Sequence, residues 1–181
     1  MAEQHTFIDY QINKSNFPDL SNAVVPANFK LPVKEKLLPM LADGTVAPPL
    51  SLKGLNGNNL NIESLKGKIV LLNFTTTGCP HCVNAAQMLT KLNEKYKNAD
   101  FVIVSVYQSK FNDQKSVAKF DSKFNIKYSS YVTEQDAHKD YHIQGYPNFY
   151  LLDKQGAIVK SFDGFYASLE KEMTDKIDII K

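Results

Sequence analysis

Arginine is absent from all 181 residues; the 21 basic positions are lysines, set against 19 acidic residues for a net charge of +2. Bidentate recognition of phosphates and base edges relies on the planar guanidinium fork, so the composition argues against a nucleic-acid partner. The lysines read as a solvated surface. Cysteine is nearly as scarce. Cys79 and Cys82 are the only two, which excludes a scaffold stapled by several disulfides. No apolar run approaches the roughly 18 residues of a membrane span, so no transmembrane segment is expected. Met1–His5 shows no basic segment followed by an apolar one, so no signal peptide is visible. Either the chain is cytosolic or a leader has been removed.

What is present is a globular composition. Hydrophobic residues make up 43% and aromatics 11%, enough for one well-filled domain with residues to spare. Residues 1–45 lack periodicity, carry Pro18, Pro26, Pro32 and Pro39, and hold only a short amphipathic turn at 33–38. They read as an N-terminal extension or linker ahead of a domain over 46–181. From Leu50 the pattern alternates: Leu50-Ser51-Leu52, a turn at Asn56-Gly57, then Leu60-Asn61-Ile62, as a hairpin requires. Continuous apolar runs at 69–74 and 101–106 predict buried strands. Helical spacing predicts helices over 80–97, around Val117, Phe120 and Phe124, and from Leu169 through Met173 and Ile177 to Ile180. A short helix is expected within 133–143, with Thr133 as N-cap and Asp136 at the capping-box position. Residues 149–152 and 157–160 predict a second hairpin. Strands alternating with helices and closed by a hairpin and a helix indicate an α/β sandwich with a mixed central sheet flanked by helices.

The chemistry concentrates in Cys79-Pro80-His81-Cys82, at the junction of the first apolar strand and the first helix. Cysteines three apart at a helix start lie about one turn from each other, within the roughly 4.4–6.8 Å Cα separation that a disulfide requires. The thiolate is the reactive form, and a helix N-terminus favours negative charge. Pro80 is pre-shaped for the first helical position, and His81 can add a hydrogen bond or a positive charge. All three effects favour the thiolate of Cys79. Cys82, one turn inside, is expected to be more buried. Cys79 is therefore the expected nucleophile and Cys82 the resolving residue. A structural zinc site needs four ligands, which two cysteines and scattered His81, His138 and His142 do not supply, so no metal is expected. Thr76 stands three residues before Cys79, as in peroxiredoxins, but Leu72 occupies the place of their proline, which argues against peroxidase chemistry. The second expected site is Tyr146-Pro147, just before a strand. A cis bond there would turn the Tyr146 backbone toward the sulfurs to pair with an extended peptide.

Together these features resemble the thioredoxin superfamily, and within it the TlpA/ResA-like (AhpC/TSA-related) extracytoplasmic thiol–disulfide oxidoreductases. The likeness rests on Ala47-Pro48-Pro49-Leu50, Leu65-Lys66-Gly67-Lys68, Leu72-Asn73-Phe74, the two cysteines, Gly145-Tyr146-Pro147 and 151–156. The resemblance implies a thioredoxin-like sandwich with an N-terminal β-hairpin and one strand–helix insertion between Cys79 and Pro147. It also implies exchange of disulfides with protein thiols and a redox-active Cys79–Cys82 disulfide with no other cofactor. Its further implications are a membrane-bound thiol reductase or oxidase as recycling partner and an extracytoplasmic location. Several positions depart from the pattern. Gly78 replaces a tryptophan, Asn73 stands where thioredoxin has a buried aspartate, and Ala85 stands where ResA-like reductases have a glutamate. Pro80-His81 is the dipeptide of the oxidising DsbA family. The expectation is an oxidoreductase more oxidising than thioredoxin. The alternatives are a TlpA-like reductase, for example of apocytochrome c thiols, and a thioredoxin-fold binding module without turnover.

Overall fold

The structure, a computed structural model, describes residues 38–181. Most of the extension expected over 1–45, and all but the last residue of the turn expected at 33–38, lie outside the described residues. In chain order come β1 (Ser51–Gly54), β2 (Asn59–Asn61), a 3₁₀ turn (Ile62–Leu65), β3 (Ile69–Thr75) and α1 (Pro80–Lys95). Then follow β4 (Phe101–Gln108), α2 (Gln114–Phe124), β5 (Ser129–Thr133), α3 (Ala137–Asp140), β6 (Asn148–Leu152), β7 (Ile158–Asp163) and α4 (Leu169–Ile180).

All seven residues of β3 are buried, as a strand apolar on both faces must be to escape water. It accordingly sits inside the sheet. It pairs in parallel with β4, Leu72 opposite Val104, and antiparallel with β6, Leu72 opposite Tyr150. The seven strands run in the order β2-β1-β5-β4-β3-β6-β7. Because successive side chains point to opposite faces, the sheet divides the core in two. On one face Ile69, Leu71, Ile103, Phe149 and Leu151 pack against Ala85, Leu89 and Leu92 of α1 and against Leu169, Met173 and Ile177 of α4. On the other, Val70, Leu72, Phe74, Val104 and Tyr150 pack against Leu50, Leu52, Tyr141 and Ile143. The result is the expected thioredoxin-like α/β sandwich, with the N-terminal hairpin and one additional strand and helix between α1 and β6.

Three local expectations are corrected. The first helix ends at Lys95 rather than 97, with Tyr96 as its C-cap. Ile62 opens the 3₁₀ turn instead of continuing β2. Thr133 does not cap α3. It ends β5, and its hydroxyl donates to the Ser51 carbonyl (2.9 Å), while Asp136 is the N-cap and accepts from the Lys139 amide (3.3 Å). The same Thr133 oxygen accepts from the Gln135 amide (3.2 Å), ahead of the helix, which leaves the cap to Asp136.

The stretch before β1 is held by the sheet's far edge. The Gly44 amide donates to the Ile158 carbonyl (2.7 Å) and the Ile158 amide returns a bond to Thr45 (2.8 Å). The Tyr150 hydroxyl, on a side chain with no exposed surface, links two segments: it donates to the Tyr141 carbonyl (2.6 Å) and accepts from the Leu41 amide (3.2 Å). Tyr150→Phe strands both partners, so it is expected to cost about 1–3 kcal/mol. The measurement is urea denaturation, which should show a lower midpoint at an unchanged slope.

Candidate active site

The end of β3 delivers the chain to the site. After Thr75 the strand can no longer pair, and the turn Thr76-Thr77-Gly78 carries the backbone into α1. One buried side chain fixes this turn. The Asn112 Oδ1 accepts from Thr76 Oγ1 (3.1 Å), Thr77 N (3.0 Å) and Thr77 Oγ1 (3.1 Å). Cys79 is then the N-cap of α1 in extended conformation, with Pro80 at the first helical position and the Cys82 and Val83 amides donating to its carbonyl (3.1 and 3.3 Å).

The two sulfurs occupy different environments. Cys79 is half-buried and Cys82 is 1% exposed; both are free thiols. Burial pushes the Cys82 thiol up to about 12, against a smaller opposing pull from hydrogen bonds with Thr75 and the Thr76 backbone. Pro80 and His81 are exposed beside Cys79. Opposite the sulfurs, the Tyr146–Pro147 peptide bond is cis, and the Cys79 Sγ donates to the Tyr146 carbonyl at 3.6 Å. The Pro147 carbonyl is engaged by the Gly164 amide (3.0 Å). The sequence-singled residues Cys79, Pro80, Cys82, Tyr146 and Pro147 thus converge on one spot, with His81 at its solvent edge.

Beneath them, no carboxylate replaces the two that are missing. Asn73 is buried and donates to Ser105 Oγ (2.8 Å), while its Oδ1 has no partner. Ala85 is fully buried in the apolar core. Further along the same row, Ser130 donates to Asp121 (3.1 Å), whose carboxyl burial pushes up to about 6.

Sequence reasoning missed three residues. Asn112 is one; its only signal is a polar residue just past a buried strand, and its contacts lie 35 residues away in the chain. His138 and Phe111 are the others. The His138 Nε2 shares a hydrogen bond with the Tyr146 hydroxyl (2.5 Å), and both Phe111 and Tyr146 meet the imidazole edge-on, at 5.9 and 5.3 Å. This stack supports the Tyr146 side chain from outside. Among the described residues no group of three or more His, Cys, Asp or Glu side chains is placed to hold a metal ion.

Comparison with known proteins agrees with this geometry. The Redoxin family model matches residues 42–175. The thioredoxin-like protein YneN of Bacillus subtilis is 30% identical over 139 residues, which cover 77% of this chain and 81% of that one. The thiol-disulfide oxidoreductase ResA of the same organism is 26% identical over 144 residues, covering 78% and 77%. Among solved structures, a putative thiol:disulfide interchange protein DsbE from Chlorobium tepidum superimposes with a TM-score of 0.71 at 21% identity, covering 77% of this chain and 98% of that one. The sandwich, the paired cysteines at the head of α1 and these matches have one reading: the chain belongs to the Redoxin family, as a TlpA/ResA-like member of the thioredoxin superfamily.

Proposed function

We propose that this chain is a thiol–disulfide oxidoreductase that exchanges disulfides with protein substrates through Cys79 and Cys82 and works in the oxidising direction. The observation that carries the reading is the asymmetry of the two sulfurs, one accessible at a helix N-terminus and one buried a turn inside it. The oxidised form holds a Cys79–Cys82 disulfide and no other cofactor. A substrate thiolate attacks Cys79 Sγ, the Cys79–Cys82 bond breaks, and Cys82 leaves with the electron pair and takes up a proton. The mixed disulfide then has two fates. The substrate's second thiolate can attack its own bonded sulfur, leaving as a disulfide and expelling the Cys79 thiolate. Alternatively, Cys82 can attack Cys79 and return the substrate unchanged.

The buried Cys82 biases that partition. Attack requires the thiolate, and a thiol held near 12 with no carboxylate beside it rarely ionises at neutral pH. Product formation by the substrate's second thiol therefore gains time. The place of Cys79 at the N-terminus of α1 and the Pro80-His81 dipeptide beside it support the oxidising direction. Once Cys79 is in a mixed disulfide it no longer donates to the Tyr146 carbonyl, which becomes available to a substrate backbone N–H as in strand addition. Pro80 and His81 shape the access to Cys79. The family likeness supports an extracytoplasmic location and a membrane-bound thiol reductase or oxidase as recycling partner, of which the oxidising direction calls for the oxidase; no helix among the described residues is long and apolar enough to cross a membrane.

Three measurements test this. Cys82→Ser should accumulate mixed disulfides with partner proteins through Cys79, seen as dithiothreitol-sensitive adducts; a binding module without turnover forms none. The reduction potential, titrated against glutathione, should lie above the roughly −270 mV of thioredoxin, and a value at or below it refutes the oxidising direction. Iodoacetamide at pH 7 should alkylate the reduced protein once, at Cys79. In Cys79→Ser, alkylation of Cys82 should climb about tenfold per pH unit above neutrality, because its raised pKa keeps it a neutral thiol until pH approaches about 12.

A further inference from the structure

Beside Cys79, the N-terminal turn of α1 and residues of α2 line a groove of about 620 Å³, inside the roughly 300–1,000 Å³ span of ligand-binding clefts. Cys79 itself forms part of its wall. Its apolar part is made by Pro80 and Val83 from α1 and Phe120 and Phe124 from α2, whose rings are tilted at 56° with centroids 4.8 Å apart; Thr77, Asn84 and Ser116 add polar groups. The rim is cationic. Lys119 and Lys123 line the groove and no acidic residue does, and among the described residues neither lysine forms an ion pair. The Lys123 Nζ lies 5.2 Å from the centroid of the Phe124 ring, so one of the two cations sits against a lining aromatic. Gly78 leaves the mouth clear, since a Cβ there would meet nothing within 4 Å.

An apolar floor under two uncompensated lysines, opening directly onto the accessible sulfur, selects its occupant by charge and by reach. We propose that this groove is the docking site for the substrate segment flanking the reacting cysteine, and that it selects an aromatic or large aliphatic side chain next to an aspartate or glutamate. The apolar side chain fills the Phe120–Phe124 floor while the carboxylate meets Lys119 and Lys123. The cysteine next to this pair then lies over Cys79, and the Tyr146 carbonyl, 3.6 Å from Cys79 Sγ, takes the backbone. This rests on the oxidoreductase reading above and adds the substrate class to it.

The test uses the full chain, oxidised at Cys79–Cys82, and two synthetic dithiol peptides. One carries Phe and Glu beside its first cysteine; in the other the Glu is Lys. Second-order oxidation rates are measured at low salt and each is divided by the same protein's rate with glutathione. The wild type should favour the acidic peptide by about five- to tenfold, a preference that falls as salt rises. Lys119→Gln/Lys123→Gln should bring the ratio close to one, and Lys119→Glu/Lys123→Glu should invert it. Exchange with glutathione but no preference between the peptides overturns the docking proposal and leaves the oxidoreductase reading standing. So does a preference that survives charge reversal. Absence of exchange with every thiol, glutathione included, overturns both. Self-association of the wild type that Lys119→Glu/Lys123→Glu abolishes puts a second copy of the chain in the groove and likewise overturns the proposal.

Discussion

Everything at the site depends on the complete burial of β3. A strand apolar on both faces has only one place in a sheet, with a partner on each side and helices above and below. Once it is there, the chain leaves the sheet at Thr75 and has one turn in which to reach the helix that covers it. Asn112, reaching from the end of β4, pins that turn through three hydrogen bonds on a single oxygen. Cys79 therefore lands at the rim of the sheet and Cys82 beneath the first turn of α1. The same packing that buries Leu89 and Leu92 against Leu71 decides which sulfur meets solvent. Reactivity is a by-product of core formation here, not an addition to it.

The buried side of the site is defined by what it omits. An acid at position 73 or 85 would share or accept the Cys82 proton; amide and methyl groups cannot. Asn73 commits its amide to Ser105 and leaves its oxygen unpartnered, so it offers Cys82 neither charge nor a proton sink. Asp121 is engaged by Ser130, on the same row across the sheet. The consequence is kinetic. A buried sulfur without a base is slow to attack the mixed disulfide, and its weak acidity also makes it a slow leaving group. The mixed disulfide is therefore longer-lived, which leaves the substrate's second thiol time to complete the exchange.

Much of this was readable in the residues alone, and the parts that were not share a cause. The continuous run 69–74, the helical spacing after Cys79 and Pro80 at the first helical position are local signals, and local physics determined the outcome. Strand β5 was illegible because Ser129-Ser130-Tyr131 has no apolar alternation; it pairs with β4 on one side and β1 on the other, and Ser130 is satisfied by Asp121 from α2. Thr133 misleads for the same reason, its hydroxyl being claimed by Ser51 from a distant strand. Asn112, His138 and Phe111 act across the fold on residues they do not neighbour in sequence. Tertiary partners outbid local preference wherever a polar group must be satisfied.

The surroundings of Cys79 complete the division between chemistry and recognition. The Tyr146 carbonyl presents a backbone acceptor that any extended peptide can use, because main-chain groups carry no sequence information. Phe120, Phe124 and two lysines, also beside Cys79, present side-chain features that only some peptides match. An exchange enzyme limited to the first would be promiscuous; the second lets it choose without touching the reacting sulfurs. The absence of arginine fits this arrangement. Lysine binds a carboxylate as a hydrated point charge without bidentate geometry, so partners are held strongly enough to orient and weakly enough to leave once the disulfide has been handed over.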